Sequence, residues 1–192
     1  MKNKTKLYIS IVIAVAIFIG ALITYNALKD DYAPNTLADA NSTQSDNTKK
    51  DEDVDYSAPD FIVEDKDGND VTLSSYFGKP IVLNLWASWC SPCKQEMPYF
   101  EEAYKNNDDI QFLMVNMTSG DSKSDAKAFI KEEGYTFPIY YDIYGDAATK
   151  YSASSLPMTI FIDENGDLVT YAVGALSDEQ LQQGIDLLKQ EQ

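Results

Sequence analysis

Residues 81–98 read Ile-Val-Leu-Asn-Leu-Trp-Ala-Ser-Trp-Cys-Ser-Pro-Cys-Lys-Gln-Glu-Met-Pro, and they hold both cysteines of the chain, Cys90 and Cys93. Residues 81–86 are apolar except for Asn84, which is typical of a buried strand. The cysteines follow where the sequence predicts the first turn of a helix. A strand that leads into a Cys-x-x-Cys pair at a helix N-terminus predicts a redox site.

The predicted position of the pair gives its two members different roles. Unpaired backbone N–H groups and the helix dipole favour an anion at a helix N-terminus, so the pKa of Cys90 is expected to fall. Cys93 comes one turn later, within disulfide reach and more buried. We therefore expect Cys90 to form a mixed disulfide with a partner and Cys93 to resolve it. Pro92 is compatible with the first turn of this helix.

Three other interpretations of the cysteine pair stay open on this reasoning. An inert structural disulfide would constrain the unfolded chain little, because its loop is very short. A zinc site normally needs four Cys or His ligands, whereas the chain has two cysteines and no histidine. Two free, buried thiols are the third interpretation. We predict neither a metal nor a cofactor.

The charged residues exclude several classes of function. The 192 residues include 15 basic residues, all of them lysine, and 31 acidic residues, which gives a net charge of −16. Because phosphate binding needs clustered cations, we expect no nucleic acid partner. The absence of histidine excludes His-based acid/base catalysis within the chain. The absence of arginine excludes bidentate clamps on phosphate or carboxylate groups.

Residues 1–28 are predicted to form a membrane anchor, a transmembrane helix separate from the folded domain. Lys2, Lys4 and Lys6 precede an uncharged run, residues 7–28, which as a helix would cover about 33 Å, enough for a bilayer core. The flanking charges predict a cytoplasmic N-terminus, with the domain on the extracytoplasmic side of the cell membrane. A cleaved signal peptide is the alternative, although its apolar region would be shorter.

The remainder of the chain divides into a linker and one domain. Residues 29–57 are rich in Asp, Asn, Ser, Thr and Lys, which predicts a disordered linker. Residues 58–192 are numerous enough for a single core. Their segments alternate in the order β-hairpin, β, α, β, α, β, β, α, and Pro98 is expected to interrupt and kink the first long helix. This order predicts an α/β fold, in which helices flank a mixed central sheet that carries an N-terminal β-hairpin.

Residues 58–61 and 78–98 carry a resemblance to a known family. They read Ala-Pro-Asp-Phe and Gly-Lys-Pro followed by the stretch quoted above. They resemble the thioredoxin superfamily and, more narrowly, the ResA/TlpA-like membrane-anchored thiol-disulfide oxidoreductases, which are redoxins related to the AhpC/TSA proteins. The similarity runs from residue 58 to about residue 188, and its Trp-Ala-x-Trp-Cys-x-x-Cys core is highly specific. It implies a thioredoxin-like fold and an extracytoplasmic thiol-disulfide oxidoreductase.

The resemblance also implies roles for individual residues. Cys90 matches the nucleophile of the family and Cys93 its resolving cysteine. Pro157 matches the proline that is cis in this fold, and Leu156 before it would offer its backbone to an extended substrate segment. The predicted substrate-binding surface is completed by Trp89, Ser91 and Pro92, although burial of Trp89 is an equal alternative.

Glu96 matches a glutamate that lies near the cysteine pair in the ResA-like branch. A carboxylate there would oppose thiolate formation and accept or return a proton during exchange. The alternative is an ordinary solvated charge on the helix. Asn84 stands where thioredoxin itself has a buried Asp, so that any role in handling protons moves to Glu96.

The leading hypothesis is a reductase of client protein disulfides. No histidine lies within the motif, which favours a reducing protein, because a nearby imidazolium stabilises the thiolate and hence the reduced form. The resemblance implies a membrane thiol electron donor of the CcdA/DsbD kind. It also implies clients of the cytochrome c maturation type or the methionine sulfoxide reductase recycling type.

Three alternatives belong to other classes. A thiol peroxidase of the peroxiredoxin type would need an arginine and a Thr or Ser at the position of Ala87. A copper chaperone would need a differently spaced cysteine pair and a histidine. An ectodomain stapled by an inert disulfide would exchange no thiols.

Overall fold

A computed structural model describes residues 38–39 and 56–190, and in these ranges eight strands form one mixed sheet. The predicted anchor, residues 1–28, lies outside the described residues, as does most of the predicted linker. None of the helices within the described ranges is long and apolar enough to cross a membrane. Ala38–Asp39 forms a short strand, β1, although the sequence predicts a disordered linker there.

The remaining elements follow the predicted order, except that a short strand and a short helix, Ile139–Tyr141 and Asp146–Lys150, come before the last two strands. A 3-10 turn spans Leu73–Tyr76. The strands and α-helices, in chain order, are β1 (Ala38–Asp39), β2 (Ile62–Glu64), β3 (Asp70–Thr72), β4 (Ile81–Trp86), α1 (Ser91–Asn106), β5 (Gln111–Asn116), α2 (Lys123–Glu133), β6 (Ile139–Tyr141), α3 (Asp146–Lys150), β7 (Met158–Ile162), β8 (Leu168–Val173) and α4 (Asp178–Gln190). The predicted α/β class is confirmed, and so is the hairpin at the start of the domain.

The strand order in the sheet is β1-β8-β7-β4-β5-β6-β2-β3. β4, β5 and β6 are parallel because helices connect them, whereas β7 runs antiparallel to both β4 and β8. Leu85, near the end of β4, pairs with Met158 at the start of β7. The segments that follow β4, β5 and β6 and the segment that precedes β7 therefore meet at one edge of the sheet. We call this edge the carboxyl edge.

Alternate side chains of β4 pack into different cores on the two faces of the sheet. Val82 and Trp86 belong to the cluster that also contains residues of α1, α2 and α4. Leu83 and Leu85 belong to the cluster that contains residues of β2, the 3-10 turn and α3. Because side chains alternate along a strand, Asn84 points to the same face as Val82 and Trp86, towards α1.

Proline, capping and glycine residues in the helices can be compared with what the sequence suggests. α1 is one continuous helix that passes through Pro98, so the predicted interruption does not occur. Ser177 and Gln180 form a capping box at the start of α4, with hydrogen bonds of 3.0 and 3.2 Å. Gly134 ends α2 with a φ of 74°, a left-handed conformation that favours glycine.

Candidate active site

The two cysteines lie at the carboxyl edge, where β4 passes into α1. Cys90 is the N-cap residue of α1, and its Sγ accepts a hydrogen bond from the backbone N–H of Cys93 at 3.2 Å. The two residues form a disulfide bond, with their Cα atoms 5.3 Å apart. Pro92 stands in the first helical turn, where its missing N–H leaves no intrahelical bond unmade. The predicted helix-opening pair is present.

Cys90 and Cys93 differ in their exposure to solvent. Cys93 is fully buried and Cys90 is 4% exposed, so Cys90 is the more accessible residue of the bonded pair. Trp89 is 65% exposed, and its indole Nε1 donates to the backbone carbonyl of Gly120 at 3.0 Å. Burial of Trp89 is thus excluded. With exposed Ser91 and Pro92, its side chain borders the cysteine pair on the solvent side.

Glu96 is buried beneath the pair, with 1% of its surface exposed, so it is not a solvated helix charge. Its Oε1 accepts from Nδ2 of Asn84 and its Oε2 accepts from the backbone N–H of Leu176, each at 2.8 Å. Burial raises the pKa of the Glu96 carboxyl to about 8, against the lowering effect of these two hydrogen bonds. The group therefore changes charge in the range in which thiols also titrate.

Asn84 joins Glu96 to the strand that follows the active-site proline. Its Nδ2 donates a second hydrogen bond, to Oγ1 of Thr159 at 3.0 Å. Asn84 and Thr159 are both fully buried. The sequence did not point to Thr159 as a site residue. One signal was available, because Thr159 is a polar residue within an apolar strand, as Asn84 is.

Pro157 and Leu156 stand at the carboxyl edge, immediately before β7. The peptide bond between them is cis, and Pro157 is buried. The carbonyl of Pro157 accepts from the backbone N–H of Gly174 at 2.8 Å, which fixes the segment against the end of β8. Leu156 is half-buried and packs on the cluster that contains Cys90 and Cys93. The fold thus places both predicted residues at the edge of the sheet where the cysteine pair also lies.

A carboxylate that the sequence did not reveal holds the chain just before the cysteines. Asp121 accepts from the backbone N–H of Ser88 at 2.6 Å and from its hydroxyl at 2.7 Å. The same carboxylate accepts from Nδ2 of Asn116 at 2.8 Å and from the backbone N–H of Ser122 at 2.7 Å. Burial opposes ionisation, yet these hydrogen bonds hold the pKa of Asp121 below its usual value. Spacing could not find this contact, because it links two loops far apart in sequence.

No group of three or more Cys, Asp and Glu side chains within the described residues is arranged to hold a metal ion. The chemistry available at the site is that of two sulfurs and one buried carboxyl. Such a set supports thiol–disulfide exchange, in which one sulfur attacks and the other resolves the mixed disulfide.

Fold and site together define a thioredoxin-like protein with a redox-active cysteine pair. The sequence profile of the AhpC/TSA family matches residues 54–171. The thiol-disulfide oxidoreductase ResA of Geobacillus thermodenitrificans is 35% identical over 138 residues, which are 71% of this chain and 78% of that protein. ResA of Bacillus subtilis is 34% identical over 134 residues, 69% of this chain and 74% of that protein.

A solved structure agrees with these sequence similarities. The crystal structure of StoA from Bacillus subtilis superposes with a TM-score of 0.59 at 27% identity and covers 68% of this chain and 99% of its own. The chain belongs to the AhpC/TSA family, and within the thioredoxin superfamily it is a ResA-like thiol-disulfide oxidoreductase. The family resemblance and the enzyme class inferred from the sequence are thus confirmed.

Proposed function

We propose that this protein is a membrane-anchored, extracytoplasmic reductase of client protein disulfides. The observation that carries the proposal is the position of the Cys90–Cys93 pair, which opens α1 with Cys90 slightly exposed and the buried Glu96 three residues after Cys93. A purely structural staple needs neither the asymmetry in exposure nor the buried acid. The absence of histidine from the motif supports the reducing direction.

The reaction begins with the reduced protein. The thiolate of Cys90 attacks one sulfur of the client disulfide, which forms a Cys90–client disulfide and releases the other client sulfur as a thiol that takes up a proton. Cys93 then loses its proton and attacks Sγ of Cys90. The Cys90–Cys93 disulfide forms, and the second client sulfur leaves as a thiol. Two electrons have passed from this protein to its client, and the two client thiols have taken up two protons, one that Cys93 lost and one from the solvent.

Cys90 is the attacking residue because the start of α1 favours its thiolate. Its sulfur lies at the N-cap, where it accepts from the backbone N–H of Cys93 and faces the positive end of the helix dipole. Thiolates at such positions have lowered pKa values. Cys93, which is fully buried, is suited to attack from within once the client is bound.

Glu96 is the proposed proton acceptor for Cys93. It follows Cys93 by one helical turn on α1, and its pKa of about 8 matches that of a thiol closely enough for transfer in either direction. Its carboxylate form is held by Asn84 and Leu176, so the proton is taken up by a fixed group. Burial excludes bulk water from this step.

The proposed client-binding surface lies around the exposed side of the disulfide. Leu156 precedes a buried proline and offers its backbone to an extended client segment by strand addition. Trp89, Ser91 and Pro92 supply the exposed surface on the other side of the cysteine pair. An extended segment with its own disulfide is therefore the expected client, of the cytochrome c maturation type or the methionine sulfoxide reductase recycling type.

The proposed location and electron supply come from the sequence. The lysines before the uncharged residues 7–28 favour an anchor with the domain outside the cytoplasm. A reductase in that location needs electrons from within the membrane, and a thiol transporter of the CcdA/DsbD type has the matching chemistry. The excess of acidic residues favours client and donor surfaces that are basic or apolar.

Two measurements test the proposal. The equilibrium reduction potential of the Cys90/Cys93 couple is expected in the range of thioredoxin or below, and a value near that of the strong periplasmic oxidants contradicts the reducing role. Cys93→Ser is expected to trap a mixed disulfide through Cys90. The matched control, Cys90→Ser, leaves the buried thiol and is expected to trap none. Equal trapping by both variants contradicts the assigned roles.

A further inference from the structure

The side chain of Asn84 has an unusual set of partners. It is fully buried, and its Nδ2 donates both to Oε1 of Glu96 and to Oγ1 of Thr159. Its Oδ1, in contrast, has no hydrogen-bond partner within the described part of the chain. A buried acceptor without a partner is costly and calls for a physical explanation.

This arrangement suits the ionised form of Glu96. Each carboxylate oxygen accepts from one N–H donor. Oε1 accepts from the side chain of Asn84, and Oε2 accepts from the backbone of Leu176. A protonated carboxyl has a different need, because its O–H must find an acceptor. The backbone N–H of Leu176 can only donate, so the acid proton belongs on Oε1. There it meets Nδ2 of Asn84, which cannot accept.

We propose that Asn84 is a positioning residue whose side-chain amide reverses when Glu96 changes its protonation state. The amide donates through Nδ2 to the carboxylate and accepts through Oδ1 from the carboxylic acid. The inference rests on the proposed role of Glu96 in handling protons and extends it to the group that follows the proton.

Reversal keeps the volume of the Asn84 side chain and exchanges the atom that lacks a partner, which is Oδ1 beside the ionised carboxylate and Nδ2 beside the protonated acid. A rotation of 180° exchanges Oδ1 and Nδ2, which have nearly the same size and differ only in hydrogen bonding. The hydroxyl of Thr159 fits both orientations, since it accepts from Nδ2 in one and donates to Oδ1 in the other. An ionised Asp at this position could only accept hydrogen bonds, and Leu could neither donate nor accept them. The amide of Asn84, which carries both a donor and an acceptor, can serve both forms of the acid.

The surroundings of Glu96 leave Asn84 as the group that responds. Glu96 is faced by Asn84 from β4 and by the backbone of Leu176 from the segment before α4, and Thr159 reaches it from β7 through Asn84. Cys93, one turn before it on α1, is held in the disulfide and does not titrate in the oxidised protein. Among the described residues, burial raises the pKa of Glu96 and the two hydrogen bonds oppose that rise, without a charged neighbour.

The test is a pH titration of the full-length, disulfide-bonded protein, in which NMR monitors the side-chain amides labelled with 15N. The signals of Asn84 are expected to change with the same midpoint as Glu96, near its pKa of about 8, and to reflect a donor to Glu96 only above it. Asn107 is the internal control. Its buried amide donates to the carbonyl of Ala103 and accepts from Lys189, which fixes its orientation, so its signals should stay constant.

The variant Glu96→Gln provides a second test of the same inference. Leu176 requires an oxygen opposite its N–H, so the glutamine turns its own NH2 group towards Asn84 and mimics the protonated acid. The Asn84 signals of this variant should match those of the native protein at low pH and should no longer titrate. If Glu96 titrates while the Asn84 amide keeps donating to it, the inference is wrong. The native titration decides the matter even where Glu96→Gln fails to fold.

The outcome is independent of the proposed function. The titration uses the oxidised protein without client or electron donor, whereas the reductase role depends on the reduction potential and on trapping. A strongly oxidising potential would overturn the reductase proposal and leave the amide result intact. A fixed Asn84 amide would overturn the inference and leave the reductase proposal intact.

Discussion

The backbone N–H of Ser88 donates to the carboxylate of Asp121 at 2.6 Å, although 33 positions of sequence separate the two residues. This hydrogen bond ties the segment before Cys90 to the loop between β5 and α2. Nearby, Trp89 donates through its indole Nε1 to the carbonyl of Gly120 in the same loop. The position of the exposed indole beside the disulfide therefore depends on a loop that carries no sulfur chemistry of its own.

Asp121→Ala is expected to slow thiol–disulfide exchange with a protein client and to change the Trp fluorescence difference between oxidised and reduced protein. Loss of the contacts with Ser88 frees the segment that presents Trp89 and Cys90. The expected loss in unfolding free energy is about 1–2 kcal/mol, because the carboxylate is partly solvated and water replaces some of its partners.

Asp163→Ala is the matched control for that variant. Asp163 likewise accepts from two backbone N–H groups, those of Asn165 and Asp167, but it lies in the turn between β7 and β8, at the other end of the sheet. A similar stability loss with normal exchange and normal fluorescence is expected. If the two variants slow exchange equally, Asp121 acts only through stability.

Glu96→Gln is expected to change how the alkylation rate of Cys90 in the reduced protein depends on pH. In the native protein a carboxylate forms beneath the pair as the pH rises through about 8, and its charge opposes the thiolate. Without it, the rate should follow a sharper titration with a lower midpoint. Iodoacetamide labelling measures the profile. Glu101→Gln, on the same helix but bound to Thr136 and Lys105, is the control and should leave it unchanged.

The same carboxyl should make the stability of the oxidised protein fall with rising pH. Its pKa is raised from 4.5 to about 8 by folding, so the native protein keeps a proton that the unfolded chain has lost. The stabilisation is complete below pH 4.5 and is lost as the pH rises to about 8, for a total of at most ~5 kcal/mol. Urea unfolding of Glu96→Gln should show a much flatter dependence. Parallel curves for variant and native protein would contradict the raised pKa.

Gly184→Ala is expected to lower the unfolding free energy by about 1–3 kcal/mol through overpacking. A Cβ atom at position 184 would lie 2.2 Å from Cζ of Phe161, so α4 cannot keep its distance from β7. Thermal unfolding measures the loss, and Phe161→Leu in the same chain should restore part of it. Gly120→Ala is the control, since its nearest new contact is 3.9 Å away. Equal losses at both glycines would rule out this clash as the cause.

Exchange with basic client peptides is expected to be faster than with acidic ones, and the difference should shrink as salt is added. Residues 51–192 contain 9 lysines and 27 acidic residues, a net charge of −18, which attracts cationic partners and repels anionic ones. Stopped-flow rates with two disulfide peptides that differ only in Lys or Glu flanks measure the effect. Rates that are equal at low salt would show that charge does not select the client.

The stretch around Cys90 could be interpreted from sequence because its signals are local. Apolar runs, a helix start and a two-residue spacing specify β4, α1 and the order of the cysteines without any knowledge of distant contacts. The order of the long helices and of the strands was predictable for the same reason. Pro98 was misleading, since α1 continues through it.

Contacts between distant segments could not be obtained in this way. The burial of Glu96 depends on where Leu176 and Asn84 meet it, and the anchoring of Ser88 depends on the loop that holds Asp121. Helical spacing placed Glu96 near Cys93 but could not decide between a buried acid and a solvated charge. The burial of Glu96 results from the packing of α1 on the sheet, and the periodicity of the helix sequence does not specify that packing.

The first described residues of the domain pair with the turn that joins β7 to β8. The carbonyl of Tyr56 accepts from the N–H of Leu168, and the N–H of Ala58 donates to the carbonyl of Gly166, both beside the end of β4 that starts at Ile81. Cys90 follows the opposite end of that strand. A bulky probe attached to Tyr56 would therefore sit at the opposite end of the sheet from the cysteine pair and leave the approach to the sulfurs open.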